Sequence, residues 1–391
     1  MNSLGLIPFL FKPISEHPNL FKGIYALGWA LFVFYYAVAI ANPHGHWWDV
    51  IGYVASAYEL SGLSGEALRS ATYDDVRNAV SPHTFSVLTN ENNIYRTTIY
   101  EEASALQENL PFYKIRYVYV WMTYAMGQWT GSFSQATVLI SAVSGFFILL
   151  TSVFLFWNAR PVIVFLLIPP AIIFLGELLT LASLAQPDAL AAMASIFLCV
   201  LILARKHKAA VLLIALLPLF RTDFVIFALA VSFILFLRGN SKLAALSAFL
   251  ALLTYFAVNH FAGNYGYAVI FNFTLIDLSN SPYPLQIPIS DDVRDYVEAY
   301  ITGIRRLVAT PEIYLYPIIT AVVILFTSTK ERYRNRFFSI YLACLFFVTV
   351  HFLLFPTAFL RHYFVLPWAS IMYLAEAFIL YRHPVQKDSG Q

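Results

Sequence analysis

Charge is what this sequence has least of. Only 12% of its 391 residues are Asp, Glu, Lys or Arg, about half of what a soluble domain carries. That shortage excludes a soluble globular enzyme, and no nucleic-acid partner is expected. Cysteine is nearly missing as well. Cys199 and Cys344 both fall inside apolar runs, so no disulfide framework is implied. Ten-residue blocks alternating apolar and polar residues are absent, which excludes a membrane β-barrel. So are internal repeats, low-complexity tracts, a nucleotide-phosphate loop and the inverted repeats typical of secondary transporters. No His, Cys and acidic residues cluster at transition-metal spacing. No cofactor is required on this reading. A divalent metal stays open, because Asp74, Asp75, Asp291 and Asp292 are available, though such residues read first as solvated.

What is there is apolar. Hydrophobic residues make up 60% of the chain, with 35 Phe and 25 Tyr, and the mean hydropathy is +0.68. Runs of about 16 to 22 apolar residues are the mark of membrane helices. The expected fold is therefore an all-α polytopic membrane protein, a single integral domain over residues 1–391. About ten spans fit, near 24–42, 132–157, 161–181, 188–204, 209–220, 223–237, 243–262, 313–329, 337–355 and 363–381. The first run lacks a small-residue cleavage site after it and reads as a retained span.

Basic residues orient the path. Lys12, Lys22, Arg160, Arg205, Lys206, Lys208, Arg238 and Lys242 fall on one face, joined by Lys330, Arg332, Arg334, Arg336, Arg382 and Lys387. By the positive-inside rule that face is cytoplasmic and carries both termini. The other face receives two large segments, 43–131 and 263–312. The first holds short amphipathic juxtamembrane patterns. It ends in "YVYVWMTYAMGQWTG" (Tyr117 to Gly131), an aromatic helix expected along the membrane–water boundary.

Polar residues gather at span ends on this outer side. Asp49, in "HWWDVIGYVASAYELSG", reads either as a helix N-cap, a role worth about 1 kcal/mol, or as a general base near an apolar boundary. His46 and Tyr53 lie beside it as substrate-binding candidates. Asp188, in "SLAQPDALAAM", reads as a helix start or as a carboxylate facing a polar cavity. In "FRTDF" Arg221 is a candidate anion binder, and Asp223 reads first as its neutralising partner. The late "TAFLRHYFVLPW" puts Arg361, His362 and Tyr363 at the mouth of the last span. A guanidinium there suits a lipid phosphate and gains about 4 kcal/mol at ~4 Å and a dielectric near 20, before desolvation. Headgroup snorkelling is the plainer alternative. Arg116, in "LPFYKIRYVYV", resembles Arg361 in position. Glu177 reads as paired within the bundle, and His260 and His351 read as packing residues.

The stretch Asp49-x-x-x-Tyr53-x-x-x-Ala57, "LPFYKIR" before an aromatic helix, "QPDAL", "FRTDF" and "RHYFVLP" together resemble the polyprenyl-phosphate-sugar-dependent glycosyltransferases of the GT-C fold. The likeness covers most of the chain as architecture, and the order of its short motifs carries it. An acidic doublet or Asp-x-Asp, found in several branches, does not occur at Asp49, where Trp48 precedes and Val50 follows. The branch and its use of metal therefore stay open. The resemblance implies an inverting transfer of sugar from a polyprenyl-phosphate donor to a glycan, lipid or protein hydroxyl at the extracytoplasmic face. Asp49 would be the base, and Arg361, then Arg221 and Arg116, would bind the donor phosphate. Tyr53, Asp188, His46, Asp223, His362 and Tyr363 would line the substrate. A bacterial inner membrane fits better than an endoplasmic reticulum membrane. The competing expectations are a transporter or flippase of lipid-linked sugars, and another outer-face transferase such as a glycan polymerase or ligase.

Overall fold

A computed structural model describes residues 17–41, 48–90, 92–175 and 177–382, and among them every regular element is helical. His46, the one site candidate of the opening stretch not covered, lies outside the described residues. Each apolar segment expected to cross the membrane contains a helix. Among the described residues three helices are long and apolar enough to do so by themselves: Pro18–Ile40, Phe133–Phe154 and Ser241–Phe261. Phe133–Phe154, at 22 residues, is about 33 Å long, close to the thickness of a bilayer's hydrocarbon core.

Two of these helices are turned inside out relative to a soluble protein. On Pro18–Ile40 the buried positions are Ala26, Ala30, Val33 and Ala37, whereas Leu20, Ile24, Leu27 and Leu31 are exposed. On Ser241–Phe261 the pattern repeats: Ala244, Ser247 and Ala251 face inward, and Leu246, Phe249, Leu253 and Phe256 face outward. Small residues between helices with large apolar ones outside are what lipid selects, because close backbone packing then replaces a hydrophobic drive. The chain is a helical membrane protein.

The expected span at 161–181 is interrupted. Pro169 and Pro170 end the helix Val162–Pro170, since proline has no N–H to give and crowds the preceding turn. A π-helical turn, Ala171–Leu175, follows. Glu177 then takes a left-handed φ of 53° before Leu178–Ser183 resumes the helix. Contrary to expectation, Glu177 has no ion pair among the described residues.

The two large segments meet at one end of the bundle. Asn109 Nδ2 donates to the Pro282 carbonyl at 2.8 Å, Tyr265 Oη to the Glu108 carbonyl at 2.7 Å, and the Leu285 amide to Glu108 Oε1 at 2.8 Å. The Phe112 and Phe273 rings stack with centroids 4.9 Å apart. At the other end of the helices, basic side chains cap C-terminal carbonyls: Lys22 that of Trp157, Arg238 that of Ile202 and Arg336 that of Leu155. Cations are favoured there by the negative end of the helix dipole.

Asp75 corrects its reading as a solvated surface residue. Its Oδ1 accepts from Ser132 Oγ at 2.5 Å, and its Oδ2 accepts from the Phe133 amide at 2.8 Å and Tyr58 Oη at 3.3 Å. It thus satisfies the orphan Phe133 amide and holds the capping hydroxyl of Ser132 at the start of Phe133–Phe154, the helix against which the catalytic candidates are mounted. Asp75→Ala is expected to lower stability by about 1–2 kcal/mol, the usual cost of a lost cap. The thermal midpoint of the purified protein in detergent measures this, and an unchanged midpoint would count against the role.

Candidate functional site

Asp49 opens the helix Asp49–Leu60, whose residues Val50 to Ala57 are all buried. The burial follows from an apolar, small-residue sequence that packs against Tyr117–Thr130 and Phe133–Phe154. Gly52 is required here. A Cβ at that position would run into the ring of Tyr113, and Tyr113 in turn meets Tyr53 edge to face at 5.1 Å.

Asp49 is not a helix cap. The cap position belongs to Trp48, and no side chain caps the helix. The Asp49 carboxylate, half-buried, instead accepts a hydrogen bond from Gln186 Nε2 at 2.5 Å. The other end of the same amide, Gln186 Oε1, accepts from Arg361 Nη1. Gln186 itself is buried, and its backbone carbonyl accepts from Ser141 Oγ at 3.1 Å. One neutral side chain thus bridges a carboxylate from the first large segment and a guanidinium from the end of the chain.

A second set lies behind this bridge. Arg221 is buried and holds two carboxylates. Its Nε and Nη2 fork onto Asp223 at 3.1 and 2.8 Å, and its Nη1 pairs with Asp188. The neutralising role expected for Asp223 is present. Asp188 stands at a helix start, as expected, but its side chain makes no capping bond there and is engaged by Arg221 instead. With one cation set between two carboxylates, Arg221 is poorly placed to offer net positive charge to a phosphate.

His351 was expected merely to pack. Its Nε2 lies 3.0 Å from Asp223 Oδ2, and its Nδ1 lies 3.2 Å from Tyr363 Oη, which donates to the Thr357 carbonyl. His362 sits between Thr357 Oγ1, 3.4 Å from its Nδ1, and Asp188 Oδ1, 3.9 Å from its Nε2. Burial pushes the His362 imidazole well below the ordinary histidine range, and Arg221 and Arg361 push it the same way. That direction favours the neutral ring.

Tyr53 lies beneath these groups, 4% exposed, with its ring 4.8 Å from that of Tyr119. Burial pushes the pKa of its phenol up, and the nearby Asp49 and Asp188 add to the rise against Arg116 and Arg221. Its place is in the floor of the site, not on its open surface. Arg116 is half-buried on the Tyr53 side and donates to the Phe112 carbonyl. The site thus joins Asp49, Asp188, Arg221, Asp223, Arg361, His362 and Tyr363, with Tyr53 and Arg116 next to them.

Sequence reasoning missed Gln186, His351 and Thr357. Gln186 stood within the quoted "QPDAL", and an amide among apolar residues is itself a signal, because burying it without partners is costly. Among the described residues no group of three or more His, Cys, Asp or Glu side chains is arranged to hold a metal ion. Asp188 and Asp223 are both engaged by Arg221. Comparison of the chain with family models, curated proteins and solved structures returns no match.

Proposed function

We propose that the chain is an inverting glycosyltransferase that moves a sugar from a polyprenyl-phosphate donor to an acceptor hydroxyl of a glycan, lipid or protein. On this reading the chain crosses the bilayer ten times. The basic end and both termini are cytoplasmic, and the site lies at the extracytoplasmic face of a bacterial inner membrane. The observation that carries the proposal is the bridge of Asp49, Gln186 and Arg361. Its two charged members are each half-buried, whereas the amide between them is buried. The carboxylate and guanidinium are therefore the reachable groups, and they are held in a fixed relation.

The chemistry follows from their natures. Asp49 takes the proton of the acceptor hydroxyl as its oxygen bonds to the anomeric carbon. The bond from that carbon to the carrier phosphate oxygen breaks, and its electron pair leaves with the phosphate. Arg361 receives the developing charge, with its fork suited to two phosphate oxygens. Attack and departure on opposite sides of the carbon invert its configuration. The buried Arg221 set keeps the scaffold in place instead of binding the donor.

The test uses the purified protein in lipid vesicles with a radiolabelled polyprenyl-phosphate sugar and membrane acceptors. Label is expected in a covalent product, with free polyprenyl phosphate released. Label that crosses sealed vesicles unchanged would favour a transporter or flippase, and extension of an existing lipid-linked glycan would favour a polymerase or ligase. Arg361→Ala is expected to lower the transfer rate by about 10²- to 10³-fold, the typical loss of one donor to a developing charge. Transfer at the native rate would remove Arg361 from its role.

A further inference from the structure

The helix Val293–Ala309 has three faces where two would be ordinary. At about 100° per residue, Tyr296, Ala299, Tyr300, Gly303 and Leu307 form one side, which faces the protein. Ala299 and Gly303 are buried, Tyr300 Oη donates to the Leu353 carbonyl at 2.5 Å, and a Cβ at Gly303 would strike Pro356. The polar side is made by Asp295, Glu298, Thr302 and Arg306. Between them runs a stripe of Val293, Val297, Ile301, Ile304 and Val308, each between 42% and 73% exposed. Arg294 and Arg305 border the stripe on its polar edge, and a shallow groove of about 320 Å³ runs between them and the apolar side chains.

This stripe is not an isolated patch. The chain turns by 84° into the apolar segment Pro311–Phe326, where Leu315, Ile318, Val322 and Leu325 are also exposed. A helix set nearly at right angles to an apolar one, with its own apolar edge outward and arginines at its border, has the form of an interfacial helix. Arginine stems can lie along acyl chains while their heads reach phosphates.

We propose that Val293–Ala309 is seated in the bilayer surface on the side of the candidate site, its apolar stripe at the acyl-chain boundary and Arg294 and Arg305 on lipid phosphates. Its protein-facing side grips residues 353–356, immediately ahead of Thr357 and Arg361. This inference rests on the bilayer reading of the chain and not on the transferase reading.

The test places single reporter thiols by Val297→Cys, Ile301→Cys, Ile304→Cys, Glu298→Cys and Arg306→Cys, in a background with Cys199→Ala and Cys344→Ala. Each is labelled with a small fluorophore in vesicles of mixed zwitterionic and anionic phospholipid. Quenching by a nitroxide high on the acyl chain is expected at Val297, Ile301 and Ile304, and quenching by aqueous iodide at Glu298 and Arg306. Iodide reaching all five positions alike would overturn the proposal. So would a nitroxide near the chain end quenching all five, which marks a buried re-entrant helix. Shielding of the three stripe positions from both quenchers would overturn it too, in favour of a protein partner. None of these readings depends on sugar transfer, so failure of the transferase proposal would leave this test intact.

Discussion

Asp49→Asn is expected to reduce sugar transfer by about 10²- to 10⁴-fold, the range a positioned general base contributes, while leaving the protein folded. The replacement has the same shape, and its amide oxygen can still accept the hydrogen bond that Gln186 Nε2 now gives to the carboxylate. The buried run from Val50 to Ala57 does not depend on the charge. What disappears is the capacity to take a proton. The loss therefore belongs in the transfer rate, with donor binding and the thermal midpoint close to native. Product formation under single-turnover conditions, with donor affinity measured separately, distinguishes the two. Transfer within a few-fold of the native rate would remove Asp49 as the base. A collapse in stability would assign it a structural part instead. Gln186→Leu is a useful companion, because it removes the bridge to Arg361 but leaves both charged groups present.

Much of the architecture was legible because lipid imposes a coarse pattern. Long apolar runs separated by short basic loops mark helices regardless of packing detail, and a helix stands in each of the segments so marked. The convergence of "QPDAL", "FRTDF" and "RHYFVLP" was also legible, since charged residues at apolar boundaries need partners. Which partner each one finds was not, because pairing depends on approach in three dimensions. Asp188 and Arg221 are 33 positions apart, and Arg361 meets Gln186 across 175. Asp75 was misread for the same reason: its donors, Ser132 and Phe133, come from a helix start more than fifty residues away. His351 looked like a packing residue because a lone histidine in an apolar run carries no signal until Asp223 is brought to its ring.

Arg221→Met is expected to destabilise the protein by about 3–5 kcal/mol, more than any other single change in the site. The guanidinium is 7% exposed, and it answers both Asp188, at 4%, and Asp223, at 24%. Removing it leaves two carboxylates with little access to water, and a buried charge stripped of its partner typically costs that much. The reverse substitutions separate charge from shape. Asp188→Asn should be milder, since Arg221 keeps its two-pronged contact with Asp223. Combining Arg221→Met with Asp188→Asn and Asp223→Asn should recover a large part of the loss, because no unpaired charge then remains. Arg221→Lys should fall between, keeping the charge but losing the fork that reaches both oxygens of Asp223. Thermal midpoints of the four variants in one detergent order them. If Arg221→Met melts with the native protein, the guanidinium is not holding the two carboxylates, and the case for Arg361 over Arg221 as the phosphate ligand is lost with it.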